Sequence, residues 1–232
     1  MWFYICPAAS QNNTIKHIQK NAKIVFSDTG RNQDWHNISK IHHRIDITLS
    51  SRMRALSAVE TDRLILRQPD LSDFEPLCEL MGDETVTRFI VGVQDPAQVW
   101  RSLCGIVGHW ELRGYGFFSV IEKETGTWLG RVGPWYPHGW PQPEIGWSLN
   151  RHSWGRGYAS EAGAACMDYV FDRLGWHDVV HLIDSDNIPS QRVAERLGSR
   201  NLGRRVEVAG FPGMEVDIWG QDAAGWRARP QS

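Results

Sequence analysis

The sequence predicts a mixed α/β fold, in which a mostly antiparallel, twisted sheet of about six or seven strands is flanked by about four helices. Three observations support this prediction. Short segments that are apolar at every second position, or throughout, are typical of strands, and longer segments with apolar residues three or four positions apart are typical of helices. Three predicted strands also follow one another directly, without helices between them.

Seven segments are predicted to be strands and four to be helices. The strands are residues 61–67, 116–122, 127–132, 144–149, 179–183, 204–208 and 214–219. The helices are residues 72–82, 96–112, 159–174 and 188–197. Glu124, Thr125 and Gly126 form a tight turn between the second and third strands, which makes these two an antiparallel hairpin.

The composition changes abruptly near residue 52. Residues 1–50 contain four of the five lysines and eight isoleucines, whereas eighteen arginines lie after residue 50. Lysine and isoleucine have A/T-rich codons, and arginine has G/C-rich codons. We therefore expect residues 1–52 to be a poorly ordered extension, or translated upstream sequence with Met53 as the natural start, and residues 53–232 to form the folded domain. An extension with its own interaction role is the alternative.

The charge and hydropathy of the chain argue against two classes of partner. The net charge is −2 and the pI is about 6.5, with no lysine- and arginine-rich face of the kind that binds nucleic acid. No apolar run approaches the ~18 residues of a membrane span, and the apolar start lacks a basic leader. We expect a cytoplasmic protein that binds neither nucleic acid nor membrane, as a monomer or a homodimer.

The cysteines and histidines do not predict a metal site. Cys6, Cys78, Cys104 and Cys166 are far apart and have no metal-ligand spacing. The adjacent pair His42 and His43 has no acidic or thiol partner at ligand spacing. We expect no metal.

A glycine-rich turn precedes the third predicted helix. Gly155 and Gly157 flank Arg156, and the free N–H groups of a helix start attract anions. The arginine adds a cation at the same place. Taken alone, such a segment is more often an ordinary turn, and the dinucleotide-binding pattern is a poor match because a third glycine is missing.

Four segments of this chain resemble the GNAT acetyltransferases, in particular their RimJ/RimL-like branch. Residues 154–159, Trp-Gly-Arg-Gly-Tyr-Ala, resemble the family's Q/R-x-x-G-x-G/A signature. Residues 61–67 resemble the opening strand of that branch, residues 144–147 its E-I/L-G-Y/W strand, and residues 187–198 its N-x-x-S-x-x-V-x-E-K/R-x-G segment. Their order is that of the family.

The resemblance implies a GNAT fold with a central splay and acetyl-CoA as co-substrate. Strands 145–149 and 179–183 would diverge to admit the pantetheine arm, and the backbone N–H near Leu149 would stabilise the oxyanion. Asn187 and Ser190 would contact the cofactor. The pyrophosphate would lie on the backbone amides of Gly155, Arg156, Gly157, Tyr158 and Ala159.

The resemblance also implies the catalytic residues. Glu144 matches the family's general base, which an ammonium substrate requires at neutral pH; the alternative is a surface carboxylate. Many relatives have a tyrosine acid where this chain has Ala194, so we predict Ser190 as the acid. Ser199 replaces a family phenylalanine, which we expect to change packing rather than chemistry.

The predicted reaction is direct acetyl transfer to a primary amine in a ternary complex. The acceptor is a protein N-terminus or a small-molecule amine, and no motif in the sequence distinguishes between them. Two alternatives are an acyl-CoA sensor without turnover, and an interaction module that uses the Trp-rich loop at residues 135–140. That loop could form a wall of the pocket or plug the sheet edge.

Overall fold

The structure, a computed structural model, describes residues 58–208 and 210–229. The predictions for residues 1–52 and for a start at Met53 lie outside these residues. In the described part of the chain, no helix is long and apolar enough to cross a membrane.

The described residues form one eight-stranded sheet with the strand order β1-β2-β3-β4-β5-β6-β8-β7. All neighbouring strands are antiparallel except β5 and β6, which are parallel. The predicted fold class is therefore confirmed, and the additional strand is the two-residue β1. The strands are β1 (Val59–Glu60), β2 (Leu64–Arg67), β3 (Phe118–Glu122), β4 (Trp128–Trp135), β5 (Glu144–Leu149), β6 (Asp178–Ile183), β7 (Arg200–Glu207) and β8 (Glu215–Asp222).

Six α-helices accompany this sheet in the described residues. They are α1 (Phe74–Gly82), α2 (Glu84–Thr87), α3 (Pro96–Arg113), α4 (Tyr158–Asp168), α5 (Ile188–Arg196) and α6 (Ala223–Ala228). A π-helical turn, Tyr169–Arg173, continues α4. The four predicted helices correspond to α1, α3, α4 and α5. The other two are too short to show helical periodicity in the sequence.

Helix α4 packs against β4 and β5 on one face of the sheet. Ala162 and Cys166 of the helix are fully buried with Val132 and Ile145 of these strands. Because side chains alternate along a strand, residues 144, 146 and 148 of β5 face the opposite side. There α3 lies over the sheet, and α1 and α3 share a second apolar cluster with Trp128.

The sheet opens between its two parallel strands. Strands β5 and β6 pair at Glu144 and Val180, where the N–H of Val180 donates to the carbonyl of Pro143 at 2.9 Å. No later residue of β5 is paired with β6 within the described chain. The strands therefore separate toward the C-terminal end of β5, as the predicted splay requires.

Candidate active site

A cavity of about 330 Å³ lies where β5 and β6 separate. Strands β4, β5 and β6, helices α3 and α5, the segment around Ile90 and the C-terminal hairpin all contribute to its walls. The walls are mainly apolar and aromatic, and the polar groups are few. Those polar groups are Arg131, Glu144, Ser148, His181, Asn187, Ser190 and Ser102.

Glu144 begins β5 and is buried, with 8% of its surface exposed. Its Oε2 accepts a hydrogen bond from Trp140 Nε1 at 2.7 Å, and its Oε1 accepts one from the N–H of Leu182 at 3.3 Å. Burial raises the pKa of Glu144 to about 7, although both hydrogen bonds favour the charged form. A carboxylate with this pKa can exchange protons near neutral pH, unlike an ordinary surface glutamate.

The Trp-rich loop forms a wall of this cavity. Trp135 stacks on His109, with ring centroids 4.4 Å apart, and lies 5.2 Å from the ring of Phe117. Trp140 donates to Glu144 and also lines the cavity. Of the two positions considered for this loop, the structure places it beside the pocket.

His181 of β6 supports the opposite wall and was not predicted as a site residue. It is 1% exposed; its Nδ1 lies 2.7 Å from the carbonyl oxygen of Ile145, and its Nε2 lies 3.0 Å from Ser199 Oγ. Burial lowers the pKa of His181 to about 4, so the ring is neutral and donates from Nδ1. Ser199 therefore takes part in a buried polar network. A lone histidine within an apolar strand did not indicate this role.

The backbone N–H of Leu149 faces the open side of β5. The next residue, Asn150, donates to the carbonyl of Leu129 on the β4 side at 2.8 Å. Backbone groups alternate sides along an antiparallel strand, so those of Leu149 point away from β4. In agreement, its carbonyl accepts a hydrogen bond from Trp154 Nε1 at 2.8 Å rather than from β4.

The glycine turn presents an uncapped helix start. Gly155 and Gly157 have left-handed φ values of 74° and 83°, which favour glycine. Gly157 is the N-cap of α4, and no side chain caps this helix. The N–H groups of Tyr158 and Ala159 lie in the first turn, where no carbonyl of the helix can accept from them. A methyl group at Gly155 would meet no atom within 4 Å, so the turn is open to a ligand.

Two side chains of this turn contact the same acidic residue, Glu122. Arg156 forms a 3.1 Å ion pair with Glu122, and the hydroxyl of buried Tyr158 donates to the same carboxylate. The Tyr158 hydrogen bond, with smaller contributions from Thr125 and Arg156, holds the pKa of Glu122 below its usual value. The hydroxyl of Tyr158 is therefore occupied, and only its backbone N–H is available to a ligand at the turn. The charge of Arg156 is partly neutralised by Glu122.

Arg63, which directly precedes β2, holds the same turn in place and was not predicted. Its guanidinium donates to the carbonyl of Arg156 at 3.0 Å and pairs with Glu161 of α4 at 2.6 Å. These contacts hold the turn against the first turn of the helix. The sequence offers no signal for them, because Arg63 and Glu161 are far apart in the chain.

Asn187 and Ser190 lie at the start of α5 and line the cavity. The Asn187 side chain caps the helix by accepting from the N–H of Ser190 at 3.2 Å. Ser190 Oγ accepts a hydrogen bond from Trp147 Nε1 at 3.2 Å, which leaves its hydroxyl hydrogen available as a donor. Among the described residues, no group of three or more His, Cys, Asp or Glu could hold a metal ion.

Residues 63–200 match the family model described as the acetyltransferase (GNAT) domain, which is more than half of the chain. The chain belongs to the GNAT acetyltransferase family. It is thus an acyltransferase, of a family whose members use acetyl-CoA.

Relatives and solved structures agree with this assignment. The GNAT chain is 29% identical to the uncharacterised N-acetyltransferase p20 of Bacillus licheniformis over 71% of its own length and 94% of that protein. It is 35% identical to the uncharacterised protein YkkB of Bacillus subtilis over 63% of its length and 87% of that protein. The crystal structure of an acetyltransferase from Agrobacterium tumefaciens is 28% identical, covers 71% of this chain and 93% of that one, and gives a TM-score of 0.62.

In this GNAT chain the predicted site residues fall into two groups. Glu144, Asn187 and Ser190 line one cavity at the splay. Leu149 lies at the other end of β5, about 17 Å along the strand from Glu144. The glycine turn follows Leu149 in the chain. Together they outline a path from the helix start to the buried carboxylate.

Proposed function

We propose that this chain transfers the acetyl group of acetyl-CoA to a primary amine by direct attack in a ternary complex. The observation that carries the proposal is the buried carboxylate of Glu144, which has a pKa of about 7 and lies in the cavity where the splay begins. Acetyl-CoA supplies a reactive thioester when bound. The residues of this chain supply the proton transfers, the charge stabilisation and the orientation.

Glu144 acts as the general base. An amine with an ordinary pKa near 10 is mostly protonated at pH 7 and cannot attack. A base is most effective when its pKa is close to the working pH, and burial brings Glu144 to that value. Its two hydrogen-bond donors, Trp140 Nε1 and Leu182 N–H, hold the carboxylate toward the cavity.

Backbone N–H groups of β5 and the Ser190 hydroxyl act on the two charges that develop during transfer. The N–H groups that β5 turns toward the splay, of which Leu149 carries the last, donate a hydrogen bond to the acetyl oxygen as it becomes negative. The Ser190 hydroxyl donates toward the departing thiolate, since its oxygen already accepts from Trp147. Ala194, at the position where many relatives have a tyrosine, is fully buried and offers no proton.

The glycine turn fits the diphosphate of coenzyme A. The helix start is uncapped, its amide groups point outward, and the position of Gly155 is open. These features support binding of an anion by the backbone of residues 155–159, with Arg156 beside it. Asn187 supports the cofactor from the start of α5.

The acceptor is a primary amine of a protein N-terminus or of a small molecule. Among structures that share the fold, one Vibrio cholerae protein is described as a ribosomal-protein-serine acetyltransferase, and another from the same organism is a spermidine N-acetyltransferase in complex with CoA and spermine. They represent both classes of acceptor. The proposal also places the chain in the RimJ/RimL-like branch of the family. It takes the active form to be a monomer or a homodimer.

A thiol-release assay with acetyl-CoA tests the proposal across small amines, short peptides with different N-termini and aminoglycosides. We expect turnover with at least one amine, and a loss of about 10²- to 10⁴-fold in kcat for Glu144→Gln. Glu195→Gln, an exposed change on α5, is the control. If acetyl-CoA binds but no amine is acetylated, the chain is a sensor. Unchanged activity in Glu144→Gln would show that another group is the base.

A further inference from the structure

Arg131 is a partly buried cation that forms no ion pair with an acidic residue of the described chain. It lines the splay cavity, its Nε is buried, and that atom has no hydrogen-bond partner. The ion pairs of the described residues involve other arginines or Lys123. Its guanidinium forms a cation–π contact with the ring of Phe117, whose centroid lies 5.1 Å from the guanidinium carbon. Burial lowers its pKa to about 10, so it stays charged at neutral pH.

Arg131 and Glu144 project from the same face of the sheet. In the antiparallel register of β4 and β5, Arg131 pairs with Ser148, Gly133 with Gly146, and Trp135 with Glu144. Paired residues share a face, so these six lie on one side. Glu144 and Ser148, the partner of Arg131, are four positions apart on β5, so their Cα atoms are about 13 Å apart along the strand.

Between the two charges, the strands themselves carry no side chains, and residues of β3 and the segment before it cover this position. Gly133 and Gly146 form the middle pair; the ring of Phe117 lies 3.1 Å from where a Cβ of Gly146 would be, and the backbone of residues 116–118 covers Gly133. The carboxylate of Glu144 lies 3.6 Å from the same point. A bound molecule could therefore extend from Glu144 toward Arg131 across an apolar floor.

The charge of Arg131 faces away from the proposed cofactor phosphates. Helix α4, whose start would hold the diphosphate, packs on the face formed by Val132, Ile145 and Leu149. Arg131 lies on the other face, with Ser102 and Ile106 of α3. The diphosphate is therefore not positioned to neutralise Arg131, whereas a molecule in the cavity is.

We infer that Arg131 binds a carboxylate of the acceptor, so that the substrates of this enzyme are amines that also carry an acid group. This inference rests on the proposed function. A guanidinium pairs with a carboxylate through two parallel hydrogen bonds, and the pair is strong when enclosed. A buried charge is costly without such a partner. The same charge disfavours polyamine acceptors, because it repels a second ammonium group.

The test compares acids with their amides. ω-Amino acids of increasing spacer length and short dipeptides are each paired with the corresponding primary amide and assayed with acetyl-CoA. We expect kcat/KM to be about tenfold or more higher for the acid at the preferred spacing, as for a hydrogen bond between charged groups. Arg131→Gln should remove this preference and Arg131→Lys should keep part of it.

The controls separate a failure of this inference from a failure of the proposed function. Arg227→Gln, an exposed arginine outside the cavity, should retain the preference. If amines are acetylated but acid and amide react alike, or if Arg131→Gln slows both equally, the inference is overturned while the proposed function stands. If no amine is acetylated, calorimetry measures the binding of the same acids and amides to protein saturated with acetyl-CoA, in wild type and in Arg131→Gln. Absence of Arg131-dependent binding of the acids overturns the inference there too.

Discussion

The carboxylate of Glu144 on β5 accepts a hydrogen bond from the backbone N–H of Leu182 on β6, at 3.3 Å across the open part of the sheet. In the reverse direction, His181 of β6 contacts the carbonyl of Ile145 on β5 at 2.7 Å. Two side chains thus replace backbone pairing where the strands have separated. The base that we propose therefore also satisfies a backbone donor that the splay leaves without a strand partner.

The dual role of Glu144 predicts a pH-dependent stability. Its pKa in the folded protein, about 7, lies above its ordinary value of 4.5. Between these values the folded state binds more protons than the unfolded state, so stability falls as the pH rises from 4.5 through 7. Glu144→Gln should relieve this loss, which is at most about 3 kcal/mol. Urea unfolding at pH 5 and pH 8 should show the variant gaining relative to wild type at pH 8, and an equal difference at both pH values would contradict the prediction.

Activity should follow the ionisation of the same carboxylate. The indole of Trp140 donates to Glu144 and stabilises its charged form. Trp140→Phe removes this hydrogen bond, so the pKa of Glu144 should rise further. The acidic limb of the profile of kcat/KM against pH should move from about 7 to higher pH.

A matched change distinguishes this effect from a general loss of packing. Trp226→Phe removes another indole-to-carboxylate hydrogen bond, to Asp168, at a buried site outside the cavity. It should reduce stability without moving the pH profile. A similar shift in both variants would mean that the limb does not report the Trp140 contact.

The glycine turn should show a binding effect separate from backbone strain. Gly155 and Gly203 have left-handed φ values of 74° and 67°, and neither position is crowded. Alanine at either site should cost a similar 1–2 kcal/mol or so of stability. Gly155→Ala should also weaken coenzyme A binding by calorimetry, because its methyl group enters the proposed diphosphate site. Equal affinities in the two variants would remove the turn from the binding site.

His181 should make the fold sensitive to acid. Its folded pKa of about 4 lies below the ordinary 6.5, so the unfolded state binds more protons between these values. The part of the stability that depends on neutral His181 is present above pH 6.5 and is lost as the pH falls toward 4.

Replacement of His181 tests this contribution. His181→Leu should flatten the dependence of Tm on pH between 6.5 and 4. It should also lower Tm at pH 7.5, because the carbonyl of Ile145 loses its buried donor, at about 1–3 kcal/mol, whereas Ser199 Oγ keeps its hydrogen bond from Gln221 Nε2. His177→Leu, at an exposed loop position, is the control. A dependence on pH that is as steep as in wild type would assign the acid sensitivity to other groups.

The order of the strands and long helices followed from the sequence because periodicity and turn residues act over short distances. The glycine turn is of the same kind, since Gly155, Gly157 and the helix start are contiguous. The short strand β1 and the short helices α2 and α6 were not predicted. Their segments are too brief for a periodic pattern, and contacts with the rest of the fold stabilise them.

The amino-acid sequence alone thus determined the fold class, the glycine turn and the likeness to GNAT acetyltransferases, because each depends on residues that are neighbours in the chain. The tertiary structure determined which groups meet in the cavity and how burial shifts their pKa values. The pKa of Glu144 depends on burial by Trp140 and β6, and the shared face of Arg131 and Glu144 depends on the register of β4 and β5. Desolvation and strand register are set by residues far apart in the chain, so no local pattern can report them.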